Sequence, residues 1–187
     1  MNLKKFEDIF KQGYIILYKH EETHWLKGWF SNRIVAKQKQ LGFIDKHAQY
    51  THAEICGGRI REGNNIVGYQ SINVAPPKSR WIDLTKDHKG RYVTVLKHKE
   101  YTDEIRRHVA YASARLNNLA YDKRGILAFA ISWIRQNNRL YFCSEHCITA
   151  IRVELPKTLG NTPADKIMPA HFFIFKHFEK IWEGRIE

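Results

Sequence analysis

The chain has 187 residues, a formal net charge of +12 and a hydrophobic fraction of 43%, with aromatics at 13%. That length fits one domain at roughly 100–200 residues per domain. The aromatic content supplies a core, which excludes disordered, collagen-like and low-complexity classes.

The opening MNLKKFEDIFKQG has early lysines but neither an apolar core nor a small-residue cleavage site. No signal peptide is read from it, and the expected location is the cytoplasm of a bacterial host or a virion. GYIILYK (13–19) predicts a buried strand, and residues 25–41 predict one or two short helices. YTHAEIC (50–56) predicts a short strand stopped by Gly57 and Gly58, with 59–65 as a turn and IVGYQSINV (66–74) as the returning strand. Pro76 and Pro77 end it, Trp81–Leu84 is a short apolar stretch, and YVTVLKH (92–98) predicts another strand.

After residue 100 the periodicity changes. Thr102 is placed to cap a helix whose apolar positions Ile105, Val109, Ala112 and Leu116 recur at helical spacing. A second helix is predicted over about 124–136, apolar on most sides. A third follows Cys143 with Ile148, Ile151 and Leu155 facing inward, and Pro156 ends it. Thr162–Asp165 reads as a turn or helix start, and the aromatic stretch 171–182 closes the chain. Strands precede helices, so the predicted class is α+β: an antiparallel, barrel-like sheet packed against helices in a single domain, 1–187. No apolar run approaches the roughly 20 residues of a membrane span. The longest, Ile126 to Ile134, contains Ser132.

The positive charge is partly localised. Residues 78–99 carry Lys78, Arg80, Lys86, Lys89, Arg91, Lys97 and Lys99 against Asp83 and Asp87, a net +5. This segment would suit an anionic surface. No run of five or six basic residues marks a tail, and no paired Cys/His finger or aromatic RNA-binding motif occurs, so nucleic-acid binding rests on charge alone.

Cys56, Cys143 and Cys147 are an odd number of thiols, and two of them lie one helical turn apart, which argues against a disulfide framework. Cys143 stands at a predicted helix start. There, unpaired N–H groups and the helix dipole favour thiolate over thiol and can receive an oxyanion. A thiolate needs an imidazole to exchange its proton and a polar group to fix the ring. Thr51-His52-Ala53-Glu54 places a histidine on a strand beside a carboxylate. Cys56 and Cys147 read as core residues, and the other nine histidines as surface or packing residues. Zinc held by Cys143, His146, Cys147 and His52 would occupy one cramped helical patch, so neither metal nor cofactor is expected.

His52 early and Cys143 late, in YFCSEHC, reverse the Cys-then-His order of papain. With GYIILY, YTHAEI, Tyr121-Asp122 ahead of an apolar segment, and Thr162-Pro163-Ala164-Asp165, the chain resembles the circularly permuted papain-like amidases, the YaeF/YiiX group of the NlpC-type cysteine peptidase superfamily. The resemblance implies a permuted papain-like fold, Cys143 as nucleophile and His52 as general base. The ring-orienting residue is Gln70, on the following strand, or Glu54, which shares the His52 face. Tyr121 is placed to help the oxyanion site. The implied activity is hydrolysis or acyl transfer at an amide, ester or thioester, without a cofactor. The substrate would be peptide-like, peptidoglycan-derived or lipid-like. The alternative is a catalytically silent papain-like fold acting as a structural or binding component among virion proteins.

Overall fold

The computed structural model describes residues 3–21, 25–75, 78–117 and 142–187. Its organising strand is β1 (Ile15–Lys19), in which Ile15, Ile16, Leu17 and Tyr18 are all fully buried. Such an unbroken apolar run marks a strand covered on both faces. It pairs antiparallel with β2 (Tyr50–Glu62) on one side and β5 (Tyr92–His98) on the other. β3 (Asn65–Ala75) and β4 (Lys78–Asp83) extend the sheet beyond β2, and β6 (Phe178–Arg185) extends it beyond β5. The order is β4-β3-β2-β1-β5-β6, every neighbouring pair antiparallel. The α+β class and antiparallel sheet are therefore as expected. The sheet is open, with β4 and β6 as its edges, and not closed as a barrel-like sheet would be.

The two glycines do not stop β2. The strand runs through Gly57 and Gly58 to Glu62, and the ladder shifts register between Cys56 and Gly58. Gly58 has φ +103°, a backbone conformation that L side chains rarely adopt, so it absorbs a bulge in place of ending the strand. A Cβ on Gly57 would collide with the Trp81 ring of β4, two strands away. The hairpin turn consequently falls at residues 63–64.

The described helices are α1 (Trp25–Gln40), α2 (Asp45–Ala48), α3 (Leu84–Asp87), α4 (Asp103–Arg115), α5 (Cys143–Glu154) and α6 (His171–Ile174). Residues 25–41 thus give one helix. Thr102 caps α4 as expected, its hydroxyl accepting the Ile105 N–H at 3.1 Å. α5 packs on α4 and on β2, burying Cys147, Ile148 and Ile151. The helix expected over 124–136 lies outside the described residues. The closing aromatic stretch divides: α6 takes its beginning, and β6 returns to pair with β5 along His98 to Tyr92. Strand pairing outweighs local aromatic content there, so the last element belongs to the sheet.

Phe6 and Phe10 join this core from the N-terminal segment, against Trp182 at 5.9 Å and Tyr69 at 5.6 Å between ring centroids. Burying a side chain of that size contributes about 1.5–3 kcal/mol. The basic 78–99 segment is distributed over β4, α3 and β5. Part of its charge is answered locally, by Lys86–Asp83 at 3.4 Å, Arg91–Glu21 at 3.1 Å and Lys97–Glu179 at 3.2 Å. Among the described residues no helix is long and apolar enough to cross a membrane.

Candidate active site

Alternate residues of a strand share a face, so β2 presents His52 and Glu54 together, opposite Tyr18 and Ile16 of β1. β3 adds Ser71, and the turn after α3 adds His88. Glu54 is completely buried and fully bonded. Its Oε2 accepts from the Tyr18 hydroxyl at 2.7 Å and the Ser71 hydroxyl at 2.5 Å. Its Oε1 lies 3.0 Å from His52 Nε2 and 3.0 Å from His88 Nε2.

Burial alone would raise the Glu54 pKa. The hydrogen bonds and positive charge of His52 and His88 outweigh it and hold the carboxyl well below the usual range. An ionised carboxylate only accepts, so each imidazole must present Nε2–H to Oε1. Burial, and then the same carboxylate, push the Tyr18 phenol well above its ordinary value. The Tyr18 ring lies close to both imidazoles, its centroid 5.5 Å from that of His52 and 4.6 Å from that of His88.

Cys143 is the first residue of α5. Its N-cap, Phe142, has extended backbone and no capping side-chain bond, and the His146 N–H closes the first turn onto the Phe142 carbonyl at 3.0 Å. The other early N–H groups of the turn are the ones a helix leaves without intrahelical partners. The sulfur is buried beside Ile72 and Val74, close enough to the His52 imidazole for the two groups to interact electrostatically. Desolvation lowers the His52 pKa, but the negative charge and hydrogen bond of Cys143, and then those of Glu54, raise it to about 10. An imidazolium beside the Glu54 carboxylate is the state those interactions favour. With Nε2 committed to Glu54, Nδ1 is the nitrogen left to exchange a proton with the sulfur.

The structure therefore brings Cys143, His52 and Glu54 together. The roughly 6.8 Å between alternate strand residues is a backbone spacing; the two long side chains close it to a 3.0 Å bond. Gln70 is not part of this group. It stands opposite Gly58 and Asp83, and Gly58 is six residues, roughly 20 Å at strand rise, along β2 from His52. β2 runs on through Gly57 and Gly58 to a turn at 63–64, and that later turn sets the pairing, which sequence spacing did not reveal. Tyr121 lies outside the described residues. His88, Tyr18 and Ser71 are the additions. Tyr18 could have been found from the pairing of the two apolar strands, whereas nothing in the local sequence around His88 marks it.

The remaining thiols are in the core. Burial pushes Cys56 up to about 12 and Cys147 well above its ordinary value, which keeps both protonated and unreactive. His146, part of the zinc alternative, turns instead to the Ser113 hydroxyl at 2.8 Å, and burial lowers it to about 4. Among the described residues one other group, His98, Glu100 and His177, is close enough to share a metal ion. His98 Nδ1, however, accepts the Glu100 N–H and its Nε2 bonds the Thr158 hydroxyl, each at 3.2 Å, so neither nitrogen has a free lone pair. A cavity between Phe10, Gln12, Gly58, Arg59 and Arg106 lies beside the bulge. Two of the arginines lining it are already paired, Arg59 with Glu7 and Arg106 with Asp103.

Comparison with family models, with curated proteins and with solved structures returned no match.

Proposed function

We propose that the protein is a cysteine hydrolase or acyltransferase with a permuted papain-like arrangement, acting on an amide, ester or thioester. The observation that supports this reading is the chain of contacts from the Cys143 sulfur through His52 to the buried Glu54 carboxylate, with the sulfur at the first residue of α5. In the reaction the thiolate attacks the carbonyl carbon, forming a C–S bond and an oxyanion. Backbone N–H groups at a helix start, such as that of Cys143 itself, are the kind of donor that can receive that charge. Collapse of the intermediate breaks the bond to the leaving group, which takes the proton from His52 and leaves an acyl thioester. His52 then removes a proton from water or another acceptor as it attacks the thioester. The second collapse releases the acyl product and regenerates the thiolate and imidazolium. Glu54 keeps the ring oriented and its charge balanced throughout. An amphiphilic or anionic acyl substrate, peptide, peptidoglycan-derived or lipid-like, suits the basic surface.

The test is alkylation with iodoacetamide at neutral pH, followed by peptide mass analysis. Cys143 is expected to react at least about tenfold faster than Cys56 and Cys147, and His52→Ala to remove that advantage. Equal, slow labelling of all three thiols would overturn the catalytic reading in favour of a silent structural or binding component.

A further inference from the structure

The Glu54 carboxylate is shared. Its Oε1 receives two imidazole N–H groups, and only one of them belongs to the base. We propose that His88 is a positioning residue for the Cys143–His52 pair, holding Glu54 Oε1 at the level of His52 and thereby setting the pH range over which the thiolate forms. This inference rests on the catalytic reading given above.

Four observations carry it. His88 is itself well fixed: its side chain is 13% exposed, its ring lies 4.6 Å from that of Tyr18, and its backbone N–H closes α3 onto the Leu84 carbonyl at 3.2 Å. The Asp83 carboxylate caps the same turn through the Thr85 N–H at 3.0 Å, so the segment presenting His88 is anchored at both ends. The groups bonded to Glu54 are Tyr18 from β1, His52 from β2, Ser71 from β3 and His88 after α3, and the thiols of Cys56 in β2 and Cys147 in α5 lie close enough to feel its charge. Arg91 stands over the far side of the Tyr18 ring at 5.7 Å, with its charge already answered by Glu21.

Oε2 is thus held by two hydroxyls, whereas Oε1 is held by His52 and His88 alone. With both imidazoles bonded to Oε1, that oxygen is fixed at the level of the His52 ring, and without the His88 donor it would be free to turn away from it. Asn73 Nδ2 approaches the same His88 nitrogen at 3.4 Å, but an Nε2 that already donates to Glu54 cannot accept from it. His88 is consequently committed to the carboxylate.

Two substitutions separate the hydrogen bond from the packing. His88→Phe keeps a ring over Tyr18 and removes the donor; His88→Gln loses the ring and keeps an N–H where Nε2 stood. The readout is the pH–rate profile of Cys143 alkylation by iodoacetamide, with unfolding temperature as the control for folding. In His88→Phe the rising limb should move to higher pH by about half to one unit, a three- to tenfold slower reaction at about pH 6. His88→Gln should stay close to the wild-type limb. An unmoved limb in His88→Phe overturns the proposal. So does a limb moved to lower pH, which would make His88 a competitor of His52 for the carboxylate. A His88→Gln profile matching His88→Phe overturns it as well. If wild-type Cys143 shows no advantage over Cys56 and Cys147, the catalytic reading itself falls and the His88 role falls with it. A wild-type advantage with an unmoved His88→Phe limb removes His88 alone.

Discussion

Replacing Glu54 by glutamine tests the centre of the site at nearly constant volume. The carboxylate accepts four hydrogen bonds, two from imidazoles and two from hydroxyls, with no exposure to solvent. A bond to a charged acceptor contributes about 1.5–3 kcal/mol against about 0.5–1.5 for a neutral one, so four bonds lose about 4 kcal/mol in strength. The amide gains from cheaper desolvation. The carboxyl nevertheless lies below its usual range despite complete burial, so its bonds exceed the desolvation penalty and neutralising it is unfavourable. The amide nitrogen also cannot accept from Tyr18 or Ser71, whose hydroxyls must reverse. A net destabilisation of about 1–3 kcal/mol follows, or roughly 3–10 °C in Tm for a chain of this size.

The pH dependence has a fixed sign. A carboxyl whose pKa is lowered by folding contributes stability above the unfolded-state value of about 4.3, and loses it as pH falls below that value towards the folded one. The gap between wild type and Glu54→Gln should therefore be constant from about pH 7 to 5 and shrink on further acidification. Thermal unfolding followed by circular dichroism across that range measures it. A variant as stable as wild type at neutral pH, or a gap that widens in acid, would refute the reasoning.

Two further outcomes test the scaffold. Thr102→Ala removes the α4 cap and should cost about 1 kcal/mol, seen as a shift in urea midpoint without a change in slope. Gly58→Ala should cost about 1–2 kcal/mol through backbone strain alone, because a Cβ there meets nothing closer than Gln12 at 3.4 Å, an ordinary contact. A neutral result in urea unfolding would mean that the bulge can relax.

Some of this arrangement was legible in the residues. β1 and β5 were readable because central strands need apolar residues at consecutive positions. α4 was readable because Thr102 and its apolar spacing agree. The places of Cys143 at a helix start and of His52 on a strand were readable from the capping and apolar patterns around them. What failed depended on non-local pairing. Gly57 and Gly58 look like a strand end until β4 places the Trp81 ring over one of them and the backbone bulges at the other. The strand's continuation to a turn at 63–64 is what puts Gln70 away from His52. β6 was hidden because its partner, β5, precedes it by some eighty residues. His88 sits in a charged loop whose local pattern resembles any solvated turn, and only the sheet register brings it to Glu54.

The open sheet has a consequence for the charge. An exposed strand edge offers unpaired N–H and C=O groups to any other chain, and charged side chains are the usual means of discouraging that contact. β4 exposes Lys78 and Arg80 along one edge, and β6 exposes Glu179, Lys180 and Arg185 along the other. On that view part of the basic 78–99 segment is a guard against self-association. Neutralising Lys78 and Arg80 would then be felt first as a loss of solubility, with the Cys143, His52 and Glu54 group untouched.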